Sequence, residues 1–250
     1  MRKSQITVLS ALGAIALVIV AAIVAARLIA ARLDSGEYSG ESPRAARSTG
    51  AVTNETRDLS GFDRVDARGM WEIEITQGSG WDVVLTYPQD TQDQLDVRVE
   101  NGRLILEEEG REWSWFGPFG RTDDDQTLTA TIVMPALESI DLSGASELTV
   151  SGFSGEKLEI TASGAIEIDG TNGSYRELQL VVSGAGDVDL GEIVVDDANV
   201  VLSGAGEITL NMNGGELSGT VSGAGEIRYH GTVREENVVT SGFSSVEALD

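Results

Sequence analysis

The stretch LSGAGEITL at residues 202–210 is one of five copies of a single phrase in this chain of 250 residues. Each copy reads Ser-Gly-Ala, one variable residue, an acid and an aliphatic residue. The other copies are LSGASELTV from Leu142, ASGAIEIDG from Ala162, VSGAGDVDL from Val182 and VSGAGEIRY from Val221. The serines at 143, 163, 183, 203 and 222, followed by Ser241, are 20, 20, 20, 19 and 19 residues apart. Such a regular period indicates an internal structural repeat.

Within each period the apolar residues alternate with polar ones, as Ile166 and Ile168 do, and as Leu178 and Leu180 do. Alternation with period two is typical of strands that bury one face. Strands that keep one sequence at one register are expected to stack on their own copies. No proline follows Pro135, as expected when each coil donates its backbone N–H groups to a neighbour. The sequence therefore predicts an all-β fold, a single-chain parallel β-helix (β-solenoid) with coils of about 20 residues.

The stacked copies would form rows of like residues: glycines at a corner, then small alanines, then acids. Each acid precedes an inward aliphatic residue, so alternation points the acid outward. Carboxylates about 4.8 Å apart repel by about 0.9 kcal/mol in a water-like dielectric. The row is therefore either a solvated face or a site for bridging cations, and calcium accepts clustered carboxylates. The candidate calcium row is Glu147, Glu167, Asp187, Glu207 and Glu226.

The β-rich region expected for the whole domain spans residues 59–250, of which 136–250 carry the regular coils and 59–135 are irregular. Asn101-Gly102, inside LDVRVENGRLILEEE, predicts a hairpin with a two-residue turn. Ser-Gly-Phe occurs at 60–62, 151–153 and 241–243. This recurrence suggests that the irregular part is a degenerate section of the same solenoid.

An aromatic cluster within GREWSWFGPFGRTDDD (residues 110–125) interrupts the predicted strands. One interpretation is a loop that folds over an open end or flank of the solenoid. The other is a contact loop for another subunit, a sugar or the membrane, since exposed aromatic residues commonly mark binding surfaces. Its members are Trp113, Trp115, Phe116 and Phe119.

The N-terminal residues 1–33 carry an uncharged run, residues 6–26, of 21 residues. As a helix this run would span about 31 Å, the thickness of the bilayer's hydrocarbon core. It is longer than a signal-peptide core and predicts a retained transmembrane signal anchor. Residues 34–58 are polar and aperiodic, which predicts a flexible linker. The count of basic residues alone, Arg2 and Lys3 before the run against Arg27, Arg32, Arg44 and Arg47 after it, would keep the C-terminal side in the cytoplasm. Long domains are often translocated regardless of charge, and we expect an extracytoplasmic domain at the cell surface or in the periplasm.

The composition excludes several classes of function. A net charge of −24 repels phosphate backbones, so nucleic acid is not an expected partner. Without cysteine and with the single histidine His230, the chain cannot form disulfides or multi-histidine metal centres. The sequence has no nucleophile elbow, and no catalytic residues or cofactors are expected. We therefore expect no enzyme activity, and nothing indicates an oligomer.

The N-terminal hydrophobic segment, the opening GFDRVDARGMWEIEITQG (61–78), the Asn-Gly hairpin and the serial Ser-Gly-Ala coils together resemble a known bacterial family. It is the family called "putative auto-transporter adhesin, head GIN domain", and the resemblance covers roughly residues 60–248. It implies a β-helical, extracytoplasmic domain and brings no catalytic residues. The function expected is adhesion or cell-envelope organisation by a membrane-anchored module with an unknown protein or glycan partner. The alternatives are a calcium- or glycan-binding envelope sensor and, third, a polysaccharide-active enzyme.

Overall fold

The computed structural model describes residues 52–108 and 128–249. These residues form strands joined by short turns, with one short 3₁₀ helix at Gln89–Gln94. The strands are β1 (Val52–Arg57), β2 (Arg64–Gln77), β3 (Asp82–Pro88), β4 (Leu95–Glu100), β5 (Arg103–Glu108), β6 (Leu128–Met134), β7 (Ser139–Ser151), β8 (Ser154–Thr171), β9 (Gly173–Asn213), β10 (Glu216–Thr232), β11 (Glu235–Gly242) and β12 (Ser245–Ala248).

All these strands belong to one mixed sheet, and the prediction of a parallel β-helix is therefore wrong. The sheet has 12 strands in the order β1-β3-β6-β2-β7-β8-β9-β10-β11, with β12 paired to β10 and β5 to both β2 and β4. Three pairs are antiparallel: β1 with β3, β3 with β6, and β4 with β5. The antiparallel pairs all lie before residue 135, so this region as a whole is not a degenerate section of a solenoid, although its strand β2 pairs in parallel with β7.

One antiparallel pair was predicted from its turn. Strands β4 and β5 pair from Leu95 opposite Glu108 to Glu100 opposite Arg103, which leaves Asn101 and Gly102 as the turn. Both turn residues have positive φ, 52° and 76°, which Asn and Gly tolerate better than other residues. The Asn-Gly hairpin is confirmed.

From β7 onward the strands are parallel, and equivalent residues of the repeat lie opposite each other. Ser143 pairs with Ser163, Ser163 with Ser183, and Ser203 with Ser222. The 20-residue spacing therefore determines the register in this part of the sheet. Because side chains alternate between faces, this register also keeps every inward aliphatic residue buried.

The core of the repeat consists of these inward aliphatic residues. Ile160, Ile168, Leu180 and Val188 are each no more than 2% exposed. Burying a side chain of this kind contributes roughly 1.5–3 kcal/mol, before the entropy of ordering it. The opposite face of the same strands carries exposed polar residues, which leaves it available for contact with other molecules.

The expected helix at residues 6–26 lies outside the described residues. Within residues 52–108 and 128–249, no helix is both long and apolar enough to cross a membrane. Strand β1 begins at Val52, inside the stretch 34–58 that the sequence predicts to be a linker.

Candidate functional site

The five acids of the repeat lie in a row on the outward face of the sheet. Glu147 pairs in register with Glu167, and Glu167 with Asp187. Glu207 pairs with Glu226, and the backbone N–H of Glu207 donates to a carboxylate oxygen of Asp187 at 3.1 Å. The row is continuous across the parallel strands β7 to β10. Neighbouring members are separated by the strand spacing of about 4.8 Å.

A sixth acid, Glu72 in β2, extends this row and was missed in the sequence. Strand β2 is parallel to β7, with Gly69 opposite Gly144 and Glu72 opposite Glu147. The signal was present as RGMWEI at residues 68–73, in which Arg68 replaces the serine and Met70 the alanine. Because only the glycine, the acid and the following aliphatic residue remain, the copy escapes a search for Ser-Gly-Ala. We call the six residues Glu72, Glu147, Glu167, Asp187, Glu207 and Glu226 the acid row.

A second outward column runs beside the acid row, two residues further along each strand. It includes Asp169 opposite Asp189, and Arg228 opposite Thr209. Burial, and then the negative charges of Asp189 and Glu147, raise the pKa of Asp169 above its usual value. Arg228 forms an ion pair with Glu207. Asp169 thus lies in a negative field, whereas Glu207 has a cationic partner.

The acid row does not gather its carboxylates around a point. Within the described ranges, no group of three or more His, Cys, Asp or Glu side chains is arranged to hold a metal ion. Calcium needs six to eight oxygens at 2.3–2.6 Å, whereas in-register acids follow one another at about 4.8 Å along a line. The geometry produces an extended negative surface.

Beside the acid row lies a stripe of small side chains from the Ser-Gly-Ala corners. Ser163, Ala165, Ser183 and Ala185 are exposed. At the last pair of copies, the hydroxyl of Ser222 lies 3.5 Å from that of Ser203. Small side chains leave the backbone near the surface, so this stripe is flat and the acids project beside it.

His230 is exposed in β10, and its neighbour in register is Asn211 of β9. An activating acid is therefore not opposite the histidine on that strand. His230 is thus a surface residue two positions before the end of β10 at Thr232.

The aromatic contact loop Trp113, Trp115, Phe116 and Phe119 lies outside the described residues. Its flanking residues are described: β5 ends at Glu108 and β6 begins at Leu128. Both strands are parallel to β2, with Glu107 opposite Arg68 and Leu128 opposite Trp71. The chain therefore leaves and rejoins the sheet at the corner that Gly69 forms in β2.

The sequence matches the family model described as "Putative auto-transporter adhesin, head GIN domain" over residues 61–232 and 190–250. The chain belongs to this family. Among curated proteins, none matches its sequence. This GIN-domain chain shares its fold with a crystal structure described as "a putative adhesin" from Bacteroides fragilis. The two are 17% identical, the TM-score is 0.63, and the match covers 80% of this chain and 97% of the other.

Two further crystal structures are more distant from this GIN-domain chain. A "putative adhesin" from Parabacteroides merdae is 12% identical with a TM-score of 0.46, and the match covers 81% of this chain and 98% of that one. A "putative lipid binding protein" from Parabacteroides distasonis is 15% identical with a TM-score of 0.44, with 81% and 98% covered.

Proposed function

We propose that this GIN-domain protein is a membrane-anchored, extracytoplasmic and non-enzymatic module for adhesion or cell-envelope organisation. The observation that carries the proposal is the acid row together with the flat Ser-Gly-Ala stripe beside it. A surface with a regular repeat suits a partner that is itself extended or repetitive, because each added contact is the same as the last. Membership of an adhesin family supports the same reading.

The charge of this face favours a basic partner, or a partner surface that carries bound cations. The acid row carries six carboxylates along its length, and Glu207 forms an ion pair with Arg228. Electrostatic complementarity mainly increases the rate and the specificity of association. Binding through this face should therefore weaken as ionic strength rises.

The first experiment determines the side of the membrane on which the domain lies. Intact cells, with the wall removed if necessary, are treated with proteinase while a tag placed after Asp250 is followed. Digestion of the tag in intact cells supports the proposal. Protection that persists until the membrane is lysed overturns it, because the domain then lies in the cytoplasm.

The second experiment tests the acid row itself. Glu147, Glu167 and Asp187 are replaced together by their amides, and adhesion of cells that express the chain is measured. A matched control replaces Glu192, Glu235 and Glu236, which are exposed and lie outside the row. The proposal expects adhesion to fall only in the first variant, and equal adhesion in both would contradict it.

A further inference from the structure

A cleft of about 490 Å³ lies where four parallel strands begin, away from the acid row. Strands β2, β5, β7 and β8 each contribute residues from their first few positions, and the turn before β7 closes one side. The backbones are tied together here, since Glu138 N–H donates to Asp63 O at 2.8 Å and Glu159 N–H donates to Glu138 O at 2.9 Å. Backbone hydrogen bonds therefore link these strands beside the cleft. Its volume is within the range of small-molecule sites, about 300–1,000 Å³.

The lining of the cleft carries cations and carboxylates in equal number. The charged lining residues are Arg64, Arg103, Lys157, Glu138, Glu156 and Glu159. Three of them are cations and three are carboxylates, so the lining has no net charge, in contrast to the chain's −24. Guanidinium and ammonium groups only donate, and carboxylates only accept.

The cations of the cleft already have carboxylate neighbours but keep donors to spare. Arg103 forms an ion pair with Asp141, and Lys157 forms one with Glu159. Arg64 lies 3.3 Å from a carboxylate oxygen of Asp63, and its side chain is 42% exposed. Arg64 also lies 3.8 Å from Glu138, and a guanidinium has five N–H donors, so two such contacts leave further donors for a ligand.

The floor holds a hydroxyl that has no partner. Ser139 is 7% exposed, and its Oγ has no hydrogen-bond partner among the described residues. Ser139 lines the cleft and lies in register between Arg64 on β2 and Glu159 on β8. The Ser139 Oγ is enclosed by its neighbours, and a buried polar group is normally hydrogen-bonded. It therefore marks a position that a ligand hydroxyl or water can complete once the half-exposed Arg64 side chain beside it moves aside.

We propose that this cleft binds a neutral mono- or disaccharide. Sugar hydroxyls both donate and accept, so one ring can satisfy the guanidinium, the carboxylates and the Ser139 hydroxyl together. An anion would meet three carboxylates as well as three cations, and would approach a strongly negative protein. This inference deepens the proposed function, since it assigns a glycan ligand to the adhesin-type module.

The test uses the full chain in lipid nanodiscs and ligand-observed NMR. The probes are neutral hexoses, N-acetylhexosamines and their disaccharides, with galacturonate and sulfate as anionic probes. At least one neutral saccharide should bind. Affinity should fall about tenfold or more in Ser139→Ala and in Arg64→Met. Arg98→Met is the matched control, because Arg98 is 40% exposed and paired with acids outside the cleft, and it should bind like wild type.

Thermal unfolding separates a binding role of Ser139 from a structural one. Because the hydroxyl has no partner, Ser139→Ala should leave Tm unchanged or higher. A lower Tm in Ser139→Ala together with unchanged saccharide binding would overturn the proposal. Absence of any neutral saccharide binding, or preferential binding of galacturonate or sulfate, would also overturn it.

Different outcomes distinguish failure of the saccharide-binding proposal from failure of the proposed adhesion function. If cells expressing the chain adhere and cleft variants adhere equally without binding a saccharide, the cleft proposal falls and the adhesin function stands. If the protein binds a saccharide through the cleft but cells lacking the chain adhere as well as wild type, the adhesion function falls and the cleft assignment stands.

Discussion

The glycines of the repeat lie where no other residue fits. Gly184 has φ +122°, and a Cβ at this position would lie 2.3 Å from the carbonyl oxygen of Gly164 on the preceding copy. The same close approach joins Gly164 to Gly144 at 2.0 Å. The glycine in each Ser-Gly-Ala phrase therefore permits both a left-handed backbone and contact between neighbouring strands.

We expect Gly184→Ala to lower the free energy of unfolding by about 2–4 kcal/mol, since it adds backbone strain to a clash with a main-chain oxygen. Denaturant unfolding of the full chain measures the effect. Gly80→Ala is the control, because a Cβ there meets nothing within 4 Å. Equal losses in the two variants would show that the corner does not require glycine.

A second prediction at this scale concerns Asp169, whose pKa is raised by burial and by Asp189 and Glu147. A group with a raised folded-state pKa contributes most stability below its unfolded-state pKa and loses that contribution as pH rises through the folded value. Asp169→Asn should therefore be more stable than wild type at pH 7, by less than about 1 kcal/mol because solvent screens the site. Thermal unfolding at pH 7 and at a pH well below 3.8, the ordinary pKa of Asp, measures this. The advantage should vanish at the lower pH, and an equal advantage at both would contradict the assignment.

At the scale of the strands, the sequence predicted the repeat and its register but not the sheet. The period of 20 residues was sufficient to place Ser143 opposite Ser163, because inward aliphatic residues tolerate no one-residue shift. No comparable pattern in the sequence predicts that β3 pairs with β6 in the antiparallel direction. Val83, Leu85 and Tyr87 alternate in the same way whichever direction the neighbouring strand runs.

The acid row was predictable from Glu147 to Glu226 but not at Glu72. In β2 the neighbours of the acid are large, with Trp71 buried and its Nε1–H donating to Arg68 O at 3.1 Å. Packing around Trp71 accommodates Arg68 and Met70 in place of the serine and alanine of the repeat, so this copy lacks the residues by which the others are recognised. The cleft around Ser139 was equally hidden, since its residues come from four separate strands.

Repulsion along the acid row can be measured by neutralising one member. Glu167 lies between Glu147 and Asp187 in register, and Glu167→Gln should raise the free energy of unfolding by about 0.5–1 kcal/mol at low ionic strength. The gain should shrink in high salt, which screens the charges. Denaturant unfolding at two salt concentrations is the measurement.

The matched control is Glu207→Gln in the same row. Because Glu207 forms an ion pair with Arg228, its removal costs an attraction while it relieves repulsion. We expect no net stabilisation from it at either salt concentration. If both variants gained equally, Arg228 would contribute nothing to the row.

At the scale of the whole molecule, β5 and β6 together follow the course of β2. Glu107 lies opposite Arg68 and Leu128 opposite Trp71, so only two positions of β2 separate the paired segments. Glu108 and Leu128, the described residues on either side of 109–127, both lie at that corner. The pairing of the other strands does not depend on how many residues connect β5 to β6.

We expect the fold to survive replacement of residues 108–127 by Gly-Ala, the corner that the repeat uses elsewhere. Circular dichroism and thermal unfolding should show native β structure with a Tm within a few degrees of wild type. A chain with a 19-residue Gly-Ser linker at 109–127 is the control. If that chain folds and the Gly-Ala chain does not, β5 and β6 are not one interrupted strand. The Gly-Ala chain also lacks Trp113, Trp115, Phe116 and Phe119, so its adhesion tests the contact loop.

Because the copies pair in register, the number of copies determines the length of the parallel part of the sheet. Each copy adds one layer to the parallel part of the sheet, and so extends the protein by about 4.8 Å in that direction and adds one carboxylate to the acid row. A tandem duplication of residues 163–182 would bring its own glycine corner and its own inward aliphatic residues. Variants with different numbers of copies would thus differ in length by multiples of about 4.8 Å, and each added copy would carry the same kinds of surface residue.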